Sequence, residues 1–380
     1  MPEAPALEYS SAMNSAVLFN IFNRPELARL SFAAIRQARP PRLYIAADGP
    51  RAGREEEEDL CRQARSIAEE VDWPCQVKTL FRKRNLGCKI ACSSAISWFF
   101  QQEQEGVILE DDCVAHPDFF PYCEELLERY RDEPKVMLIS GSNFEFGKRR
   151  GEASYFFSMF PHIWGWAGWA SRWKLYDVNM AGSERYIHTR MLDDVGHEAA
   201  YRIMARKFWL ISNGYDDTWD YQLVYAVWKN QGLCVIPNVN MIRNIGFIEE
   251  SAHPAPPDIR MVRSVSGMGT LTHPATLIPD AEAHRFACET LACDKGGFED
   301  ILLREGLRRL DAGEHEANKE LIRCAREFYG PLQGFLGLEA LHALALGDMP
   351  AAQSAYAELR LRYPEDPLIA ALAAPLGIAP

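Results

Sequence analysis

Between Ala16 and Ser140 five short apolar runs alternate with stretches of helical periodicity, and this alternation limits the fold more than any other feature. The runs are Ala16–Phe22, Leu43–Ala47, Gln76–Phe81, Val107–Leu109 and Val136–Ser140. A helix opened by Pro25 extends to about Ala38, and the acidic run Arg54–Asp59 starts a solvated helix ending near Asp72. Further helices are expected over Cys88–Gln102 and Pro117–Tyr130. Short apolar runs separated by helices read as buried strands of a parallel, doubly wound α/β sheet.

The fourth run ends abruptly in three carboxylates, Glu110, Asp111 and Asp112, followed by Ala115-His-Pro-Asp-Phe-Phe with Pro117 placed to open a helix. Acids at the carboxyl end of a buried parallel strand sit where open α/β sheets bind ligands. Three adjacent carboxylates repel one another, and a hard divalent cation with oxygen ligands relieves that repulsion. If the ion also bridges a diphosphate, the acidic site can hold a nucleotide-sugar it would otherwise reject. An acidic loop that merely caps the next helix would use the same residues.

A chain of 380 residues, 48% of them hydrophobic, buries a full core and is long enough for two domains. Its net charge of −12 leaves no basic footprint, which argues against nucleic acid and anionic membrane as partners. An anionic substrate would need a local metal or a few Arg and Lys. No apolar run approaches the roughly 18 residues of a membrane span. The first residues, Met-Pro-Glu-Ala-Pro-Ala-Leu-Glu, lack the basic region and apolar core of a secretory signal. Ten cysteines occur without a CxxC pair; Cys88 and Cys92 share a helix face, with no second ligand pair near them in sequence. Reduced thiols in a cytoplasmic protein, soluble or peripheral at a membrane, are expected.

After Gly151 the rhythm changes. Tyr155–Phe160 reads as a strand, leading through Pro161–Trp169 to a helix ending at Leu175. Arg185–Leu210 is mostly helical, Trp219–Gln231 an amphipathic helix, and Leu233–Pro237 and Asn240–Ile245 are strand-like. Ser251–Pro279, rich in Pro, Gly and Ser, is expected to wrap over a site. Near the end, Leu307, Leu310, Gly313, Ala317 and Tyr329 recur 34 residues later as Leu341, Leu344, Gly347, Ala351 and Tyr363. That period resembles tetratricopeptide repeats. Two units are too few for a free solenoid, so they should dock on the front domain or extend a surface for a protein partner or self-association.

With these landmarks in place, the first 255 or so residues resemble a glycosyltransferase of the GT-A fold, nearest to the inverting N-acetylglucosaminyltransferase I type and its bacterial relatives. The motifs run in order: Phe22-Asn-Arg-Pro, Ala47-Asp-Gly-Pro, Lys89-Ile-Ala, Leu109-Glu-Asp-Asp-Cys, His116-Pro-Asp-Phe-Phe and Phe160-Pro-His-Ile-Trp-Gly-Trp. Thr218-Trp-Asp-Tyr-Gln, Ile236-Pro-Asn, Arg243-Asn-Ile-Gly-Phe and Ala252-His-Pro complete the set. The resemblance implies a Rossmann-like GT-A domain over 1–285, with a helical, tetratricopeptide-like domain over 295–380 lying outside it.

It also implies roles. The acidic triplet becomes the DxD-type motif: Asp112 ligates Mn²⁺ or Mg²⁺ across the donor diphosphate, and Glu110 and Asp111 contact ribose and sugar. A metal on the leaving phosphate neutralises charge as the glycosidic bond breaks. Arg24 and Asp48 would hold the base and phosphates, although a solvated helix start and a turn would use the same two residues. Arg84 and Lys89 would add positive charge, unless 82–84 is simply a solvated loop. An inverting transfer needs a base opposite the leaving group, and Asp220 is the candidate, 17 residues before Pro237. The family carries a second Asp where this chain has Tyr221, so Asp217 and Asp216 stay open as alternatives. Trp164, Gly165, Trp166 and Trp169 would frame donor sugar or acceptor, with at least one of the indoles expected in the core. His253 would close over the diphosphate as a late metal or phosphate ligand.

The expected reaction is transfer from a nucleotide-diphospho-sugar, a UDP-sugar, to a glycan, lipid-linked or protein hydroxyl, as in bacterial surface-glycan assembly. A sugar nucleotidyltransferase would carry a Gly-rich phosphate loop near the first strand, and Ile21-Phe-Asn-Arg-Pro-Glu has no such glycines. The competing class is a catalytically inactive scaffold acting through its helical repeats.

Overall fold

The structure is a computed structural model describing residues 13–246, 263–292 and 298–378. Its first half alternates β1 (Ala16–Ile21), α1 (Pro25–Ala38), β2 (Arg42–Ala47), α2 (Glu55–Arg65), β3 (Gln76–Phe81), α3 (Gly87–Phe100) and β4 (Glu105–Glu110). Next come β5 (Cys113–Ala115), α4 (Phe119–Arg129), β6 (Val136–Ser140), β7 (Tyr155–Ser158) and β8 (Trp166–Trp169). The helices α5 (Ala170–Trp173), α6 (Ser183–Thr189), α7 (Met191–Val195), α8 (Glu198–Ser212) and α9 (Asp220–Lys229) lead to β9 (Leu233–Pro237) and β10 (Ile242–Asn244).

Eight strands form one mostly parallel sheet in the order β3-β2-β1-β4-β8-β6-β9-β7, and β10 pairs with β5 beside it. β1 and β6 are buried at every position, as continuous apolar runs require, whereas β3 has no fully buried residue and forms the edge. The mostly parallel sheet expected from the sequence is present, and its antiparallel members come from the segment after β6. β8 runs antiparallel to both β4 and β6, and β7 antiparallel to β9. Trp-Ala-Gly-Trp is too short and too rich in indole and glycine to signal a strand, and its sequence alone reads as the approach to a helix. It pairs Gly168 with Gly106, where a Cβ on Gly106 would strike the Phe99 ring at 2.4 Å.

Two apolar layers cover the sheet. One contains Ala95, Ile96 and Phe99 of α3 with Leu223 and Val227 of α9; the other contains Phe32 and Ile35 of α1 with Leu126 and Leu127 of α4. Trp73 fixes the turn between α1 and β2 by donating its indole N–H to the Pro40 carbonyl at 2.8 Å.

Beyond α10 (Ala281–Ala292), the repeated segment forms two helical hairpins, α11 (Phe298–Asp311) with α12 (His315–Tyr329) and α13 (Gln333–Ala345) with α14 (Met349–Arg362), closed by α15 (Pro367–Ala373). The matched glycines Gly313 and Gly347 both end a helix at positive φ, 71° and 74°, which explains why glycine recurs there. These helices dock on the loop after β6. Arg309, fully buried, donates to the carbonyls of Phe146 (2.7 Å), Glu145 (2.8 Å) and Ala317 (2.9 Å) and pairs with Glu305 at 3.0 Å. Among the described residues no helix is long and apolar enough to cross a membrane.

Candidate functional site

The carboxyl ends of β1, β2, β3 and β4 open onto a cleft of about 410 Å³, closed on one side by α3 and on the other by Trp164, Trp219, Asn244 and Gly246. Its lining includes five carboxylates (Asp48, Glu110, Asp111, Asp112, Asp217) and three guanidiniums (Arg24, Arg51, Arg82).

At its centre the acidic triplet is organised by Arg24. Its Nη2 pairs with Asp111 and lies 3.1 Å from Asp112, while Nη1 donates to the Gly246 carbonyl at 3.3 Å. Burial works against the guanidinium charge, but Asp111 and Asp112 outweigh it and raise the pKa. Asp111 also accepts the Phe22 N–H at 3.1 Å, and its carbonyl accepts from the Ser31 hydroxyl at 2.9 Å. Burial raises Asp111 to about 6 against the pull of Arg24. Asp111 thus ties the loop after β1 to the end of β4.

Glu110 accepts the indole N–H of Trp219 at 3.1 Å. Burial first, then the charges of Asp112, Cys88 and Asp111, push its carboxyl well above the usual range. Asp112 receives the Asn244 amide at 3.4 Å, and its own carbonyl accepts the Ile245 N–H at 2.8 Å. A Cβ on Gly246 would lie 1.9 Å from Asp112 Oδ2, so only glycine leaves the carboxylate its place.

Ligand atoms of Glu110, Asp112 and Cys113 all lie within 4.8 Å of one another. Burial, then Asp112 and Glu110, keep the Cys113 thiol protonated, leaving the two carboxylates as the leading donors. Hard oxygen donors fit Mn²⁺ or Mg²⁺ better than a thiophilic ion. The cradle at Gly246 fits a carboxylate reserved for an ion, and binding one there would require Arg24 to yield Asp112.

Asp48 and Asp217 fix the frame. Asp48 accepts from the backbone N–H of Gly49 (2.8 Å) and Leu86 (3.0 Å), joining the loops after β2 and β3; burial still raises its pKa. Asp217 accepts the Cys88 and Lys89 N–H groups at 2.9 and 3.0 Å, capping α3 from a distant part of the chain. Gly87 sits at φ 79° with a would-be Cβ 2.6 Å from that carboxylate.

Arg24, Asp48, Glu110, Asp111, Asp112 and Trp164 therefore meet in one cleft. Other expected residues do not line it. Arg84 is exposed, because the chain bends after Arg82 and brings the Arg84 backbone against Gly49; Arg82 and Arg51 supply the positive charge instead. The Lys89 ammonium turns to the Ile211 carbonyl at 3.4 Å. Trp166 and Trp169 are buried, Trp166 stacking on Trp219 at 6.3 Å, and Gly165 is needed for close packing, its would-be Cβ 2.5 Å from Ile242. Asp220 is half-buried beside the cleft, bonded to the Thr218 hydroxyl; burial raises its pKa despite that bond, and its charge acts on Tyr176 and Lys207. Asp216 pairs with Lys207. His253 and residues 251–262 of the segment expected to wrap the site lie outside the described residues; 263–279 run past Asn240, Asp118 and Ser154 and do not line the cleft.

Sequence reasoning passed over Asn20, a polar residue at the end of the otherwise apolar β1. That contrast was its signal. It also assigned no role to Arg51, which sits in a loop with no periodic cue, or to Asn244, which ends β10 beside Cys113.

No family model matches this chain, and no curated protein matches it in sequence.

Proposed function

We propose that the chain is a metal-dependent, inverting glycosyltransferase of the GT-A type that moves a sugar from a nucleotide-diphospho-sugar, a UDP-sugar, to a hydroxyl of a glycan, lipid-linked or protein acceptor. The observation carrying this reading is the convergence of Glu110 and Asp112, at the end of a central strand, with Arg24, Arg82, Trp164 and Trp219 in one cleft. Because carboxylates outnumber guanidiniums there, a diphosphate fits only in company with a cation.

Asp112 and Glu110 would hold Mn²⁺ or Mg²⁺, which when bound supplies charge neutralisation to the leaving diphosphate. Arg24 would turn from Asp112 toward the phosphates, and Arg82 would add charge from the loop after β3. The Trp164 indole offers an apolar face suited to a pyranose. The acceptor oxygen attacks the anomeric carbon and the bond from that carbon to the phosphate oxygen breaks. The nucleoside diphosphate leaves with the bonding pair, and the hydroxyl proton passes to Asp220. Burial makes Asp220 more basic than an ordinary aspartate, and the oxygens of Asp217 are already engaged by α3.

Incubation with a panel of nucleotide-sugars and Mn²⁺, followed by mass spectrometry of released nucleoside diphosphate, tests the reading. Slow donor hydrolysis for one nucleotide class is expected even without acceptor. Neither hydrolysis nor transfer with any donor, tried with a range of glycan acceptors, would overturn it.

A further inference from the structure

Asn20 occupies the fifth position of β1, level with Ala46 on one neighbouring strand and Glu110 on the other. It is 8% exposed and lines the cleft, yet neither its Nδ2 nor its Oδ1 has a hydrogen-bond partner among the described residues. A buried carboxamide with both ends unpaired is costly, and an apolar residue would suit this strand better. Arg24, which shares the cleft, is committed to Asp111, Asp112 and Gly246.

The same stretch of cleft is walled by Ala46, Leu80, Ala91 and Ala95. Deeper between the same sheet face and α3 stand Tyr44, Ile96, Phe99 and Ile108. Small residues at the mouth therefore leave a gap between sheet and helix with apolar walls and one carboxamide. A phosphate would seek cations and N–H groups, and this gap offers a single amide. A planar heterocycle suits the apolar walls. A carboxamide presents a donor and an acceptor side by side, the pairing that reads a base edge through two parallel hydrogen bonds.

We infer that Asn20 is a specificity-determining residue that hydrogen-bonds the nucleobase of the bound nucleotide, taking a base edge with adjacent donor and acceptor such as that of uracil. The inference rests on the nucleotide-sugar reading above. It makes Asn20 a binding group whose unpaired state weakens the ligand-free fold and is relieved when the base enters.

Calorimetric titration of the full chain with UDP and with inorganic pyrophosphate, each with Mn²⁺, separates the base from the diphosphate. In Asn20→Ala, UDP affinity is expected to fall about ten- to a hundredfold, the worth of a bidentate base contact. Pyrophosphate affinity should stay unchanged, and the ligand-free melting temperature should hold or rise. The inference is overturned if UDP affinity is unchanged, if both ligands weaken together, or if the ligand-free protein melts lower, which would make Asn20 structural. Asn20→Val, which suits a buried strand, guards against misfolding and should behave alike. If the wild-type protein binds neither UDP nor pyrophosphate, the nucleotide reading itself fails; if it binds both equally, only the base site does.

Discussion

Asp217 and Asp220 are both acids of one short segment, and their surroundings predict opposite consequences for their removal. Asp217 accepts the second and third N–H groups of α3, those of Cys88 and Lys89, while the helix's own N-cap position, Leu86, supplies no side-chain acceptor. Losing such a cap costs about 1–2 kcal/mol. Loss of a carboxylate at a helix N-terminus adds about 0.3–1 kcal/mol. Asp217→Ala should therefore destabilise the protein by about 2 kcal/mol, with Asp217→Asn intermediate because one acceptor oxygen survives. Urea unfolding followed by far-UV circular dichroism would show the midpoint falling with the slope unchanged. Turnover should fall modestly, as Cys88, Ala91 and Cys92 on α3 wall the cleft. Asp220→Asn removes a carboxylate whose charge burial disfavours, so stability should hold or rise while turnover drops about 10²–10⁴-fold. If Asp217→Asn leaves stability untouched and abolishes turnover, the roles are reversed and the capping argument is wrong.

Three further outcomes follow from the same geometry. Burial raises Glu145 to about 7 against the pull of Arg150, so the folded state binds a proton that the unfolded state has released. Its contribution is therefore full below about pH 4.5 and falls as pH rises to about 7; Glu145→Gln should flatten that decline in unfolding free energy. Arg309→Met should cost several kcal/mol, about 3–5 for breaking a buried ion pair, and hydrogen exchange should show α11 and α12 opening first. Gly246→Ala should displace the Asp112 carboxylate and weaken Mn²⁺ binding about ten- to a hundredfold by titration calorimetry, with little change in melting temperature.

The first half of the fold was legible because it is built from elements whose signals are local. β3 and β6 occur with the bounds read from the sequence, and α1 begins at Pro25 and ends at Ala38. The antiparallel β8 was not legible, since its four residues owe their conformation to the strands on either side. The short β5 likewise exists through its pairing with β10. At the site, the gathering of Arg24, Asp48 and the acidic triplet was foreseeable from loops at the ends of adjacent parallel strands. Side-chain direction was not. Whether Arg82 or Arg84 enters the cleft depends on a bend packed against Gly49, and whether Trp164 or Trp166 faces it depends on β8. The capping of α3 by Asp217 spans 129 residues of sequence, beyond the reach of any local pattern.

Asp112 and Glu110 are proposed to form a metal-dependent nucleotide-sugar site. Thermal unfolding with UDP and UDP-sugars, with and without Mn²⁺, in the wild-type protein and in Asp112→Ala, tests it most directly, since a ligand that binds only the folded state stabilises in proportion to the logarithm of its concentration over Kd. A rise in melting temperature that needs both nucleotide and Mn²⁺ and disappears in Asp112→Ala is expected. A rise that persists without metal or in the variant, or no rise with any nucleotide, would contradict it.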